Sequence, residues 1–499
     1  MKTHQIAPEE GIKTQSSIST THSEASIFAQ SSILKRTSTG ISSTFDALKA
    51  RYWKIANIAF IIGAGMSFFD VACDVLMVRE FYLNEQMKSA AATIVTILLS
   101  LALQSILVIL QNIKRKRHTV IKELLFVWTF LKPGVDVYRV LKGNEQQVGT
   151  TFTPHTEMVY VRGVELTVEC IPCVIIQTLA FVSGYQSLIA VVSLASGILT
   201  AATISTSISI ELDCNPESRS HAGNFYGFVP LKSLPRTVLV CLLHVIMSAC
   251  QLAAKAFALA LANMESTTAV LVYLVAEVLL MFAYKLATGD FTYWIPIENR
   301  PVSIFASSLI RFGCKIVLDF TGIVHVRHPL EFGGAYVYFT IFTTPFICLY
   351  FGYRYLSFVS SPSVASLLPH VFSSSSVYGS IITLTVIQFF SFLLFLRTIN
   401  SSHLSTFITV QTGPQYIASQ FRNSNVDSSK VVILAKNRVL WRGVEEEVKS
   451  WINVSIYKWL EEKPEFFTEH IKQSITNDLV EDERALKLLR GAGGDEEGV

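Results

Sequence analysis

Long apolar runs dominate the middle of the chain, and they determine its predicted architecture. A helix needs about 20 mostly apolar residues to cross the hydrocarbon core of a bilayer. Eight stretches meet this requirement and are predicted to be spanning helices: 55–79, 89–112, 158–182, 186–210, 236–263, 267–288, 335–356 and 377–397. The pattern therefore predicts an all-α, polytopic membrane bundle of about eight spans.

Two further segments are less regular. Residues 121–131 are apolar but too short to cross, and residues 301–324 are interrupted by charged side chains, namely Arg311, Lys315 and Asp319. A segment this polar cannot cross while facing lipid. Both segments are expected to be re-entrant or interfacial and buried in protein.

Basic residues predict the orientation of the bundle. The run Lys114-Arg115-Lys116-Arg117 follows the second span and should face the cytosol. The segments 183–186, 264–268 and 357–376 contain no Lys or Arg, as expected of external loops. Eight spans satisfy all of these conditions and place both termini in the cytosol. If 301–324 crossed, the basic-free loop 357–376 would be cytosolic.

The regions flanking the apolar segments differ in composition. Residues 1–50 are Ser/Thr-rich and polar, which predicts a disordered cytosolic tail. Residues 51–399 form the predicted transmembrane domain. Residues 400–499 are charged and predict a partly helical cytosolic tail.

Composition supports a membrane protein and excludes other classes. Hydrophobic residues make up 51% of the 499 residues and charged residues only 16%, against about 25% charged in soluble domains. A net charge of +3 is too small for a nucleic-acid binder. Eight cysteines fall mostly in apolar segments, so we expect no disulfide framework. The pair Cys170 and Cys173 has no second ligand pair, so it is interpreted as helix-packing residues, and no metal or cofactor is expected.

Paired carboxylates inside apolar helices are the most informative feature. Asp70 and Asp74 lie in the first span, and Glu165 and Glu169 in the third. A spacing of four puts both members of each pair on one helix face. A central Asp costs about 2.5–3.5 kcal/mol for insertion, while each Leu, Ile, Phe or Val returns only about 0.3–0.6 kcal/mol. These helices therefore need polar partners within a bundle.

Neighbouring residues extend both polar faces. In the third span Glu165, Glu169, Cys173 and Gln177 form a stripe with a period of four, and Pro172 predicts a kink within it. In the first span, small residues continue the acidic face and predict close helix approach: Ala59, Gly63 and Ser67. Two such stripes could face each other and leave a hydrophilic groove.

Candidate counter-charges lie in later segments. They are Lys255, Glu277, Arg311, Lys315 and Asp319, and we expect some of them to pair with the acids of the first and third spans. Buried ion pairs that fix helix register are the structural alternative. Intramembrane ionisable residues more often mark a pathway for ions, protons or headgroups.

At these residues the chain resembles the XK-related family of phospholipid scramblases. The resemblance rests on Asp70-Val-Ala-Cys-Asp74, followed by Tyr82, and on Glu165-Leu-Thr-Val-Glu169-Cys-Ile-Pro172-Cys-Val-Ile-Ile-Gln177. The chain departs from the family pattern at Cys170, where Ser is usual, and at Cys173, where Gln is usual. The number of spans, the two re-entrant pieces and the cytosolic termini are also similar.

The resemblance implies ATP-independent movement of phosphatidylserine and other phospholipids between leaflets. It implies that Asp70, Asp74, Glu165 and Glu169 line an intramembrane groove, with Gln177 on the same stripe. Arg311, Lys315 and Asp319 join as candidates on the basis of their charge alone. Implied partners are membrane phospholipids and, as in part of the family, a single-span partner subunit. The plasma membrane is the default expectation for its location, with internal membranes as the alternative.

Two other functions stay open. Paired carboxylates also suit a cation or proton channel or a secondary transporter, and a non-transporting scaffold would use the acids structurally. The sequence contains no Walker loop, HExxH, GxSxG or strand-associated GxGxxG, so the chain is not expected to be an enzyme or an ATP-driven pump.

Overall fold

The computed structural model describes residues 61–142, 146–150, 153–185, 187–214, 226–231, 233–288, 300–324, 334–359 and 374–399. Its regular elements within these ranges are helices: α1 Ile61–Leu83, α2 Met87–Gln111, α3 Arg117–Trp128, α4 Lys132–Leu141, α5 Pro154–Val182, α6 Leu188–Cys214, α7 Leu234–Glu265, α8 Thr267–Thr288, α9 Arg300–Thr321, α10 Gly334–Val359 and α11 Ser374–Thr398. The two predicted tails, 1–50 and 400–499, lie outside the described residues.

Seven helices in the described part of the chain are long and apolar enough to cross a membrane, namely α1, α2, α5, α6, α7, α8 and α11. Each coincides with a predicted span, so the prediction of an all-α polytopic bundle is confirmed. The eighth predicted span, 335–356, forms the 26-residue helix α10. Helix α10 is long enough to cross a membrane, but it is not among the seven helices found in the described part of the chain.

The two irregular segments fold as helices of different lengths. Segment 121–131 falls within α3 and the turn that joins it to α4, and these helices have only 12 and 10 residues. At about 1.5 Å per residue neither can span the membrane. Segment 301–324 forms α9, whose 22 residues are long enough, but α9 is not among the seven apolar helices. Its Arg311, Lys315 and Asp319 are buried in protein.

The bundle buries its polar side chains and exposes apolar ones. On α1, Phe69 and Leu76 are exposed, while Asp70 and Asp74 are 4% and 1% exposed. On α9, Phe305 faces outward in the same way. This arrangement is expected when the surroundings are lipid, because apolar side chains tolerate hydrocarbon and charges do not.

Helix α7 occupies the centre of the bundle. It packs against α5, α6, α8, α9, α10 and α11. Its middle is rich in buried alanine, including Ala253, Ala254, Ala256 and Ala258. Small side chains let neighbouring helices approach closely, and close packing drives helix association in lipid. The eight cysteines are free thiols in this structure.

Helix α5 is continuous but contains one π-helical turn at Leu166–Cys170. The Ile171 N–H donates to the Leu166 carbonyl, five residues back. Pro172, which lacks an N–H, follows directly, so the backbone widens where a proline would otherwise break the α-helical ladder. The predicted distortion is therefore a π-turn just before Pro172.

Candidate functional site

The two predicted polar stripes face each other. The Gln177 side-chain amide on α5 donates to Asp74 Oδ1 on α1 at 2.8 Å. Asp70 accepts from the Cys170 thiol, with 3.7 Å between sulfur and oxygen, and from the Ser196 hydroxyl on α6 at 3.4 Å. Asp70, Asp74 and Gln177 thus lie in one buried layer between α1, α5 and α6.

A buried arginine joins this layer to Glu165. Arg162 Nη1 lies 3.0 Å from Glu165 Oε2, and the same nitrogen donates to the Ser67 hydroxyl on α1. Glu169 is buried one turn further along and is hydrogen-bonded to Ser100 on α2. Sequence reasoning missed Arg162, although its i,i+3 spacing from Glu165 within a predicted span was a visible signal.

The π-turn helps to keep the α5 stripe on one face. Residues four apart in a regular α-helix are offset by about 40°, so three such steps would rotate the stripe by about 120°. A π-turn winds more slowly and offsets part of this drift. Glu165, Glu169, Cys173 and Gln177 are all buried as a result.

Helices α5 and α6 approach closely at Gly197 on α6. A Cβ there would lie 2.9 Å from Val174 Cγ2 on α5 and 3.6 Å from Asp70 Oδ1. The 2.9 Å distance is too short for a Cβ, so glycine lets α6 pass close to Val174. The predicted small-residue face of α1 acts differently: a Cβ at Gly63 would meet nothing within 4 Å, and Ser67 serves as a hydrogen-bond acceptor. Ala59 lies outside the described residues.

A second charged cluster joins α7, α8 and α9. Lys255 Nζ lies 3.3 Å from Glu277 Oε2 and 3.8 Å from Asp319 Oδ2. Lys315 Nζ lies 3.4 Å from the same Glu277 oxygen and also pairs with Asp319. The prediction that these residues supply counter-charges to the first- and third-span acids is therefore wrong for these four, because two lysines and two acids neutralise each other locally.

Helix α9 connects the two clusters. Lys315 and Asp319 lie in the second cluster, and a Cβ at Gly313 would lie 3.7 Å from Thr167 in the π-turn of α5. Arg311 stands two residues before Gly313 and is 1% exposed. Charged side chains are thus distributed through the interior from the acids of α1 and α5 to the pairs on α7 and α8.

Buried oxygen atoms in both clusters keep unused hydrogen-bonding capacity. Within the described residues, Asp74 Oδ2, Gln177 Oε1 and Asp319 Oδ1 accept no hydrogen bond. Buried polar atoms normally have a partner, so such atoms often mark functional positions. These oxygens are available to ammonium groups, cations or water.

The spaces beside the acids are small. A cavity of about 20 Å³ is bordered by Glu165, Glu169, Gln104 and Ser67, and on its other side by Val127 of α3, Phe130 of the α3–α4 turn and Pro133 of α4. A second, of about 10 Å³, lies beside Arg162, Gly63 and Glu211. About 10–15 Å³ accommodates one water molecule. In this conformation the acids therefore adjoin spaces of single-water size.

A third polar cluster joins the short helices α3 and α4 to the first turn of α5. Lys132 Nζ on α4 lies 2.6 Å from both Asp136 and Glu157 and 3.4 Å from Glu123, which also pairs with Arg139. Burial raises the pKa of Asp136 to about 6 despite the nearby lysine. Burial opposes ionisation of Glu123 as well, but hydrogen bonds from Arg139 and the charge of Lys132 lower its pKa overall. Burial disfavours the charged form of Lys132, but the negative charges of Asp136, Glu157 and Glu123 raise its pKa overall.

The helices and their buried charges define the class of this protein: it is a multi-pass α-helical membrane protein with ionisable groups in its interior. No family model matches the chain, and no curated protein or solved structure matches it either. In the described part of the chain no group of three or more His, Cys, Asp and Glu residues is arranged to hold a metal ion.

Proposed function

We propose that this protein is a phospholipid scramblase that moves lipids, including phosphatidylserine, between leaflets without ATP. The observation that carries the proposal is the buried layer in which Asp70 and Asp74 of α1 meet Cys170, Gln177 and Ser196. These acids occupy the positions on which the resemblance to XK-related scramblases rests. They also point into the bundle, where a transported headgroup would pass.

Each polar group in this layer lowers the cost of moving a headgroup through hydrocarbon. Burying a polar group without a hydrogen-bond partner costs roughly 2–7 kcal/mol, depending on the reference state. A lipid ammonium can pair with the unused Asp74 Oδ2, and its phosphate with Arg162. The acyl chains would stay in the surrounding lipid, and Arg311, Lys315 and Asp319 would continue the polar route along α9.

Transport in this proposal requires an opening movement. Cavities of single-water size are far too small for a headgroup. Phe130 and Val127 cover the space beside Glu165 and Glu169, so displacement of the α3–α4 turn would widen it. Phe130 also has a left-handed backbone with φ of 58°, which costs a non-glycine residue of order 1–3 kcal/mol. The closed state therefore stores strain at the residue that covers the acids.

A cation or proton pathway is the second candidate. Asp70 and Asp74 on α1 lie near Glu165 and Glu169 on α5, and Arg162 pairs with Glu165. Paired intramembrane carboxylates suit cations at least as well as headgroups. We prefer the scramblase because of the resemblance. We also propose a plasma-membrane location and, from the distribution of basic residues, cytosolic termini. By the resemblance we propose a single-span partner subunit as an alternative to action alone.

The experiment is a dithionite bleaching assay on proteoliposomes that contain fluorescent phospholipid. We expect the wild-type protein to accelerate the loss of inner-leaflet fluorescence, and Glu169→Gln to reduce that rate while the protein stays folded. Phe130→Gly relieves the backbone strain and removes the covering ring, so it should raise the rate. If neither wild type nor Phe130→Gly exceeds empty vesicles, the scramblase proposal is wrong.

Current recordings with ion substitution distinguish the second candidate. A scramblase should transfer lipid with little ion selectivity, whereas a channel should give a cation-selective or proton-selective current. Selective current that depends on Glu169, without lipid transfer, would replace the first proposal by the second.

A further inference from the structure

A polar cavity of about 310 Å³ lies beside the third cluster, at the end of the bundle that carries Lys114–Arg117. Its walls come from the end of α2, from α3 and α4, from the loop 146–150 and from the start of α5. This volume is at the lower end of the range of small-molecule sites. It is over ten times larger than either space beside the membrane acids, so it can admit a ligand in the conformation described.

Basic side chains outnumber acidic ones on the cavity surface. Arg115, Lys122 and Arg139 line it together with His118, against two acids, Glu123 and Glu157. Both acids are already engaged. Glu123 binds Arg139 and Lys132, and Glu157 accepts from Lys132 and from the Gln111 amide. The positive charges of Arg115 and Lys122 make no ion pair with an acid within the described residues.

Neighbouring groups contact Arg115, which is half-buried, and Lys122, which is exposed. Arg115 Nη1 donates to Asn112 Oδ1 at 3.2 Å. The loop packs over its stem at Gly149, where a Cβ would lie 3.3 Å from Arg115 Cγ and φ is +85°. Lys122 lies over the ring of Phe126, with 5.8 Å between Nζ and the ring centroid. His118 and Thr119 come from the first turn of α3, whose partial positive charge adds to the attraction for anions.

Exposed apolar side chains lie on the elements beside the cavity. Helices α3 and α4 and the turn between them expose Ile121, Leu125, Trp128, Leu131 and Tyr138. Trp and Tyr are enriched at the level of the lipid headgroups, so this surface fits the membrane interface. Basic side chains at a cytosolic interface attract anionic phosphates.

We propose that this cavity binds a phosphate group, with Arg115, Lys122 and His118 as its donors. The phosphate belongs either to an anionic lipid headgroup or to a free soluble phosphate, and the test below separates these sources. The site is distinct from the route assigned to transported lipid, and its test measures binding without any lipid transfer. Failure of one proposal therefore does not decide the other.

The test is isothermal titration calorimetry on the full-length protein in detergent. One arm uses inorganic phosphate, and the other uses mixed micelles that contain a phosphatidylinositol monophosphate. The test variant is Arg115→Gln with Lys122→Gln. The matched control is Lys114→Gln with Arg117→Gln, which removes the same charge from exposed residues that do not line the cavity. Lys122→Gln alone serves if the double variant does not fold.

We expect saturable binding to wild type, weakened at least about tenfold in the test variant. The control should change it less than about threefold, because charges outside the cavity act only through screened, long-range attraction. Binding of the micelles alone identifies a lipid headgroup as the source. Binding of inorganic phosphate, with or without the micelles, identifies a soluble phosphate. Absence of saturable binding in both arms, or equal weakening in test and control variants, overturns the proposal.

Discussion

Replacement of Asp74 by Asn separates a functional carboxylate from a structural one. Asp74 is 1% exposed, and its Oδ1 accepts from the Gln177 amide at 2.8 Å. Asn has the same size, and its own Oδ1 can accept the same hydrogen bond. The substitution therefore removes the charge while preserving the contact between α1 and α5.

The expected effect on stability follows from two opposing contributions. A carboxylate charge that is buried away from water costs several kcal/mol, and this cost disappears with the charge. A hydrogen bond to a charged group contributes about 1.5–3 kcal/mol and a neutral one about 0.5–1.5 kcal/mol, so the weaker bond loses about 1 kcal/mol. The relief is larger than the loss, so Asp74→Asn should be at least as stable as wild type.

The expected effect on transport has the opposite sign. A headgroup ammonium paired with a carboxylate loses about 1–1.5 kcal/mol when the acceptor becomes neutral. Each 1.4 kcal/mol on the barrier is a factor of about ten in rate. Dithionite bleaching in proteoliposomes should therefore slow about tenfold, while the unfolding temperature stays the same or rises.

Glu265→Gln is the matched control, because this carboxylate pairs with Arg354 near the end of α7, away from the buried layer. It should leave the bleaching rate within about twofold of wild type, since exposed pairs contribute little. Two results would refute the reasoning. Wild-type flux in Asp74→Asn would mean that the charge has no part in transport, and a marked loss of stability would mean that the carboxylate is a structural element.

Three further outcomes are expected. Gly197→Ala should destabilise the protein by about 1–3 kcal/mol through overpacking. Adding Val174→Ala should restore most of the lost stability, because it removes the side chain that the new methyl group meets. If thermal unfolding shows no rescue, the close contact between α5 and α6 is contradicted. Asp319→Asn should lower the stability by about 3 kcal/mol, because it leaves Lys255 and Lys315 with one acid, Glu277. Lys315→Met should recover part of that stability in a double-mutant cycle. Additive losses from the two substitutions would refute the cluster. The pKa of Asp136 is raised to about 6 from an ordinary 3.8, so the stability it contributes is present below pH 3.8 and lost as pH rises through about 6. In Asp136→Asn the unfolding temperature should depend less on pH across this window, and an unchanged pH profile would contradict the assignment.

Local sequence was enough to predict the helices and their environment. Apolar runs of spanning length fix helix positions, because a helix satisfies its own backbone hydrogen bonds in lipid. The i,i+4 spacing of Asp70 with Asp74 and of Glu165 with Glu169 fixed which face each pair occupies. The cost of a charge in hydrocarbon then required that face to turn inward. The burial of all four acids follows from these local rules.

Partner choice was decided only by the tertiary structure. Lys255 and Lys315 were equally plausible partners for the acids of α1 and α5, because sequence gives no distance between helices that are far apart in the chain. The fold placed them against Glu277 and Asp319, and gave Glu165 a neighbour from its own helix, Arg162. The same holds for the cavity of about 310 Å³ beside α3 and α4, since the loop and helix ends that line it meet only when the bundle has packed. Periodicity determines which side of a helix is polar, whereas packing determines what that side meets.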